Sequence, residues 1–68
     1  MNDFDEFSYH EAVDRALLAT DFFHVNVETH HVVQAHWKLA KRAMELTSKL
    51  NDFYDEVITI TDEYQRLS

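Results

Sequence analysis

The sequence predicts an all-α protein: a helical hairpin with a short first helix and a long heptad-patterned second helix, assembling as an oligomeric helical bundle. Three observations carry this. The 68 residues include no Gly and no Pro, where an average chain of this length has about eight of the two together. Apolar side chains recur at alternating steps of four and three over most of the chain, which is the period of a helix face. Hydrophobic residues make up 46% of the chain, too many for a disordered segment. One helical domain over residues 1–68 is expected.

The first helix is predicted over about 9–24. Ser8 followed three residues later by Glu11 forms a capping-box pattern that starts a helix near Tyr9. Tyr9, Val13, Ala16, Thr20 and Phe23 then mark one apolar stripe, and Glu11, Asp14, Arg15 and Asp21 the opposite face. Val25-Asn26-Val27 is the expected turn, since Asn tolerates turn backbone angles and also caps helices. Glu28 then falls in the first turn of the second helix, where negative charge is favoured.

The second helix is predicted over about 27–67. His36, Ala43, Leu50, Val57 and Tyr64 take the a positions, and Val32, Leu39, Leu46, Phe53, Ile60 and Leu67 the d positions, a coiled-coil-like pattern. Val33, Ala40 and Tyr54, then Trp37, Met44 and Ile58, widen the apolar arc to a width that suits a bundle. A break near Ser48-Lys49 is the alternative. At 1.5 Å per residue the first helix is about 24 Å long and the second about 60 Å. Folded back on the second, the first reaches only to about Met44. Leu46, Leu50, Phe53, Val57, Ile60, Tyr64 and Leu67 are therefore expected to form a homodimer interface. Burial of each large side chain is worth about 1.5–3 kcal/mol. His36, between Val32 and Leu39, is expected inside the seam, where protonation would load charge onto it.

Several chemistries are excluded by composition. Without Gly there is no phosphate-cradling loop, dinucleotide fingerprint or glycine hairpin turn. Without Cys there is no disulfide, thiolate zinc site or thiol nucleophile. The hydroxyl residues show no activating arrangement, and Asp55-Glu56 and Asp62-Glu63 are adjacent pairs whose members point in different directions. No catalysis and no cofactor are expected.

Charge lies in blocks. The net charge is −7: −6 over residues 1–28, +3 over 29–50 and −4 over 51–68. Direct nucleic-acid binding is disfavoured, because phosphate contacts need a basic surface. The acidic first segment is expected either to be solvated or to fold back on the basic middle one. The start Met1-Asn2-Asp3-Phe4-Asp5-Glu6-Phe7 has no basic leader before an apolar run, and no stretch is long and apolar enough to span a membrane. A cytoplasmic location is expected.

Two constellations stand out. Asp21-x-x-His24 and Glu28-x-x-His31 place a carboxylate and an imidazole at the i, i+3 spacing used by di-iron bundles. Leu18 and Phe22 sit one turn apart on the acidic side of the first helix, and Phe4 and Phe7 precede it. These four side chains either cover one another, meet a second protomer, or form an aromatic-acidic patch that binds another protein.

The segment His36-Trp37, then Phe53-Tyr54-Asp55-Glu56, then Thr61-Asp62-Glu63 resembles the first helical hairpin of the DNA-protecting mini-ferritins and their small phage-encoded relatives. The resemblance covers about 30 residues. It implies a ferritin-like bundle with His36 as the matching iron ligand, and Asp21, His24, Glu28 and His31 are the other candidate ligands nearby. The family's second His falls at Thr47 or Ser48 here. Short acidic helical chains of this type are common among phage and mobile-element products. The expected role is that of a helical homodimer acting on a protein partner as adaptor, inhibitor or assembly factor. A ferritin-like metal-binding bundle is the second reading.

Overall fold

The computed structural model describes residues 5–67. Its elements are α1 (Glu6–Phe22), a π-helical segment (Phe23–Glu28), the short α2 (His31–Ala35) and the long α3 (Trp37–Leu67). There is no strand among the described residues. The molecule is a rod of 49 × 18 × 15 Å, and α3, at 31 residues and about 46 Å, spans its long axis.

α1 begins earlier than the capping box predicts. Asp5 is the N-cap, in extended backbone, and its carboxylate accepts from the Ser8 backbone N–H at 2.9 Å. Asp caps a helix as well as Ser does, and its negative charge gains from the helix dipole. The Asp5 carboxyl is accordingly held below its ordinary value of 3.8, chiefly by the Ser8 backbone hydrogen bond. Ser8 thus lies inside the first turn, not before it.

The turn also moves. Val25-Asn26-Val27 is helical, not a turn. Asn26 donates back to the Phe22 carbonyl at 3.2 Å, so its side chain braces the helix in place of reversing it. Two β-branched valines suit helix or strand better than a tight turn. The chain leaves the helix at Thr29, whose hydroxyl donates to the Val25 carbonyl. It re-enters at α2, capped by His30, whose Nδ1 accepts from Val32 N–H at 3.1 Å. His30 also stacks on His31 at 4.5 Å. None of the described residues has a positive φ, so the corner is built without need of glycine.

The predicted continuous helix over 27–67 is interrupted at His36. That residue is extended, with φ −115° and ψ 105°. Its carbonyl accepts from Ala40 N–H at 2.9 Å and so starts α3. Ser48-Lys49 is uninterrupted helix. His36 is exposed, outside the seam, which removes the basis for a seam sensitive to its charge.

The pairing of the helices is the main correction. α1 runs antiparallel beside the C-terminal half of α3. Tyr9 stacks on Tyr64 at 4.1 Å, His10 and Gln65 are hydrogen-bonded at 2.9 Å, and the Thr20 hydroxyl reaches the Leu50 carbonyl at 3.5 Å. The half of α3 expected to be bare is therefore the half α1 lies against, while α2 packs on α3 nearer the turn. The cause is the corner: residues 29–36 are spent in turning, so α1 meets α3 well beyond Met44. Most of α1 consequently lies beside the acidic C-terminal segment, and only the end of the acidic first segment, from Thr20 to Glu28, reaches the basic middle one.

α1 presents the predicted stripe of Tyr9, Val13, Ala16, Thr20 and Phe23, all buried or half-buried. α3 answers with Ala43, Leu50, Val57 and Tyr64 from row a, joined by Ala40, Thr47, Tyr54 and Thr61 from row e. Row d takes no part. Small side chains at the contact let helix axes approach closely, and row e supplies Ala40, Thr47 and Thr61. The three most buried side chains, each 5% exposed, are Ala43, Thr20 and Thr61. Thr20 donates to the Ala16 carbonyl at 2.8 Å, whereas the Thr61 hydroxyl has no hydrogen-bond partner.

Two outcomes follow from this seam. Ala43→Leu forces about three more side-chain heavy atoms into a closed contact and is expected to destabilise by about 1–3 kcal/mol. Thr61→Val removes an unpaired buried hydroxyl at nearly constant shape and is expected to stabilise by about 1 kcal/mol. Thermal melts followed by circular dichroism check both.

Candidate functional site

Three features of the rod bear on function: a polar clasp at the turn end, an apolar outer face on α1, and the unpaired row d of α3. The clasp depends on the π-helical segment. At 100° per residue Glu28 would point roughly 140° away from Phe23. The wider i→i+5 turn brings it back beneath Phe23 and towards α3. There its Oε1 accepts from the Thr47 hydroxyl at 2.6 Å and meets His24 Nδ1 at 3.0 Å. Gln34 Nε2 donates to the Glu28 carbonyl at 2.6 Å. The clasp thus joins the end of α1, α2 and α3. The Thr47 hydroxyl bond, followed by the His24 contact, holds the Glu28 carboxyl below its ordinary value of 4.5.

The clasp has the geometry of a structural tie. Imidazole and hydroxyl meet the same carboxylate oxygen, so Glu28 is the partner the two side chains share. Of the predicted metal candidates, His24 and Glu28 come together at i, i+4, a different pair from the i, i+3 spacings read in the sequence. Asp21, His31 and His36 are exposed. Among the described residues no three His, Asp or Glu side chains gather where one ion could be held.

The outer face of α1 carries Leu18 and Phe22, 59% and 64% exposed, as their position opposite the seam predicts. Phe7 is 70% exposed and belongs to α1 itself. It lies eleven residues before Leu18, about 16 Å along the axis, so it does not cover Leu18. Phe4 lies outside the described residues. Val25, also exposed, extends the patch. Its membership was hidden by ending the helix at residue 24; its spacing of seven from Leu18 would have revealed it. Glu11, Asp14 and Asp21 surround these side chains, with Arg15 bound to Glu11 at 3.1 Å.

The predicted interface residues divide into two groups. Leu50, Val57 and Tyr64 face α1 and are half-buried. Leu46, Phe53, Ile60 and Leu67 are exposed in a single row with Leu39. At 100° per residue that row lies about 80° around α3 from the middle of the a/e seam. A groove beside it is lined by Ser8, Tyr9, Ala12, Val57, Ile60 and Thr61. At the turn end, Trp37 is exposed with Lys38 Nζ 5.7 Å from its ring. No helix among the described residues is long and apolar enough to cross a membrane.

The clasp yields a pH dependence with a definite sign. A carboxyl held lower in the folded chain than in the unfolded one adds stability above its ordinary value and loses it as pH falls through the folded value. Glu28→Gln keeps an acceptor for Thr47 but removes the charge. The wild-type protein should melt higher than Glu28→Gln at pH 7, and the gap should close below about pH 4.5. A gap of equal size at both pH values would show that the tie does not depend on charge.

Comparison of the chain with protein families, curated proteins and solved structures gives no match.

Proposed function

We propose that this chain is a small acidic helical adaptor that works in the cytoplasm as a homodimer, by binding another protein and without catalysis. One observation carries the reading. Leu18, Phe22 and Val25 stand exposed on the face of α1 opposite the hairpin seam, where none of the described residues covers them. Contiguous exposed apolar side chains rimmed by polar ones mark interaction surfaces. An α-helix that shows apolar residues at i, i+4 and i+7 suits the groove of a partner. The acids around the patch favour a partner whose groove is rimmed by Lys or Arg, since complementary potentials raise both association rate and selectivity.

The chemistry of the chain agrees with a binding role. The clasp is fully engaged in holding the turn, and the buried hydroxyls of Thr20 and Thr61 lie in the seam between the helices.

Leu18→Ser with Phe22→Ser tests the proposal. Affinity capture from native cell extract with the wild-type chain identifies the partner by mass spectrometry, and titration then measures binding. The double variant is expected to bind at least tenfold more weakly, a loss of about 1.4 kcal/mol or more. Its helicity and melting temperature should stay near wild type, because both positions lie outside the seam. Retention of full affinity would place the binding face elsewhere, and loss of folding would return these side chains to the core.

A further inference from the structure

We infer that row d of α3 is covered by row d of a second copy of this chain, with the two α3 helices antiparallel about a two-fold axis at Phe53. The inference deepens the proposed homodimer and rests on it: it names the face, the orientation and the register. The row Leu39, Leu46, Phe53, Ile60 and Leu67 is between 47% and 89% exposed, runs the length of α3, and is left out of the seam with α1.

Charge decides what covers it. Row d is bordered on one side by the seam with α1 and on the other by row g, which reads Arg42, Lys49, Glu56 and Glu63. The sign inverts at the middle of the row. Among the described residues none of these four side chains is in an ion pair. An antiparallel copy centred on Phe53 sets Phe53 against Phe53, Leu46 against Ile60 and Leu39 against Leu67. In the same register Arg42 falls opposite Glu63 and Lys49 opposite Glu56, and the two-fold axis repeats each pair. A two-fold axis perpendicular to the helices keeps both g rows on one edge, so all four pairs line that edge. A parallel copy, related by a two-fold axis along the helices, would place the two g rows on opposite edges of the contact and form none of these pairs.

Shape agrees with this register. The groove between Ala12 and Ile60 lies where Leu46 of the second copy falls. On α1 the flank beside row d carries Ser8, Ala12 and Ala19, small side chains that admit a second hairpin, with Glu11 and Arg15 along its outer rim. The result is a four-helix bundle, in which each helix touches two neighbours. Leu18 and Val25, with Phe22 at the rim, stay on its outer side.

Cysteine placement reads the orientation directly, because the chain has no Cys of its own. Full-length L46C and I60C proteins are prepared, checked for helicity, and then oxidised or bridged with a short bis-maleimide, singly and as an equimolar mixture. In the antiparallel register residue 46 lies fourteen residues, about 21 Å, from its own copy, out of reach of a disulfide, and beside residue 60 of the other. The expected result is cross-linked dimer in the mixture and almost none in either protein alone. Cross-linking of L46C by itself would overturn the orientation. A dimer in sedimentation that cross-links in no sample would overturn the interface while leaving the homodimer standing. A monomer at every concentration would overturn both.

Charge reversal supplies a readout independent of cysteine chemistry. R42E with K49E makes row g wholly acidic, and dimerisation should weaken by about tenfold or more at low salt. Adding E56K and E63K restores opposite pairs in the antiparallel register, so the quadruple variant should regain wild-type self-association. It should also fail to pair with the wild-type chain. A parallel dimer, whose g rows lie on opposite edges, predicts neither this rescue nor this discrimination against the wild-type chain.

Discussion

A single neighbouring helix can cover only one stripe of a helix that is apolar around more than half its circumference. α3 is such a helix, and α1 is its only long neighbour within the chain. The stripe that α1 covers runs along rows a and e, because row e holds the small side chains that permit close approach. Most other features of the rod are consequences of that choice. The core is thin and rich in threonine, no large side chain is fully buried, and row d is left facing outward. A short chain without disulfides has few other sources of stability, which is why a second layer of helices is the natural completion of this architecture.

The corner of the hairpin determines which parts of the two helices meet. Had the chain turned at Asn26, α1 would have lain against the basic stretch around Lys41. Continuing helically to Glu28 and turning through α2 carries α1 along the acidic end of α3. The rod therefore has an acidic open end and a more basic turn end. The Glu28–Thr47 hydrogen bond secures this arrangement from the turn side, and the Tyr9–Tyr64 stack secures it from the other.

Much of this was legible in the sequence, for reasons that also explain what was not. Helical class follows from the absent Gly and Pro and from the period of the apolar residues, both local properties. The α1 stripe is local in the same sense, as is the outward direction of Leu18 and Phe22. Which of the rows on α3 would meet α1 was not legible. Rows a and d together form the seam of an isolated coiled coil, and the switch to a and e depends on side-chain sizes on two helices at once. His36 fits a heptad perfectly by spacing, yet the chain leaves the helix there to make its corner, a choice governed by tertiary packing. The clasp depended on a π-helical turn, for which the sequence offers no distinctive pattern.

The π-helical turn has a consequence for how this chain can change in length. Upstream of Phe23 and downstream of Glu28 the two parts of the molecule keep separate angular phases, and the wide turn is what reconciles them. Removing one residue within Phe23–Glu28 would return the turn to α-helical spacing and swing the Glu28 carboxylate away from Thr47. Indels between relatives of this protein should therefore avoid the six residues of the π turn.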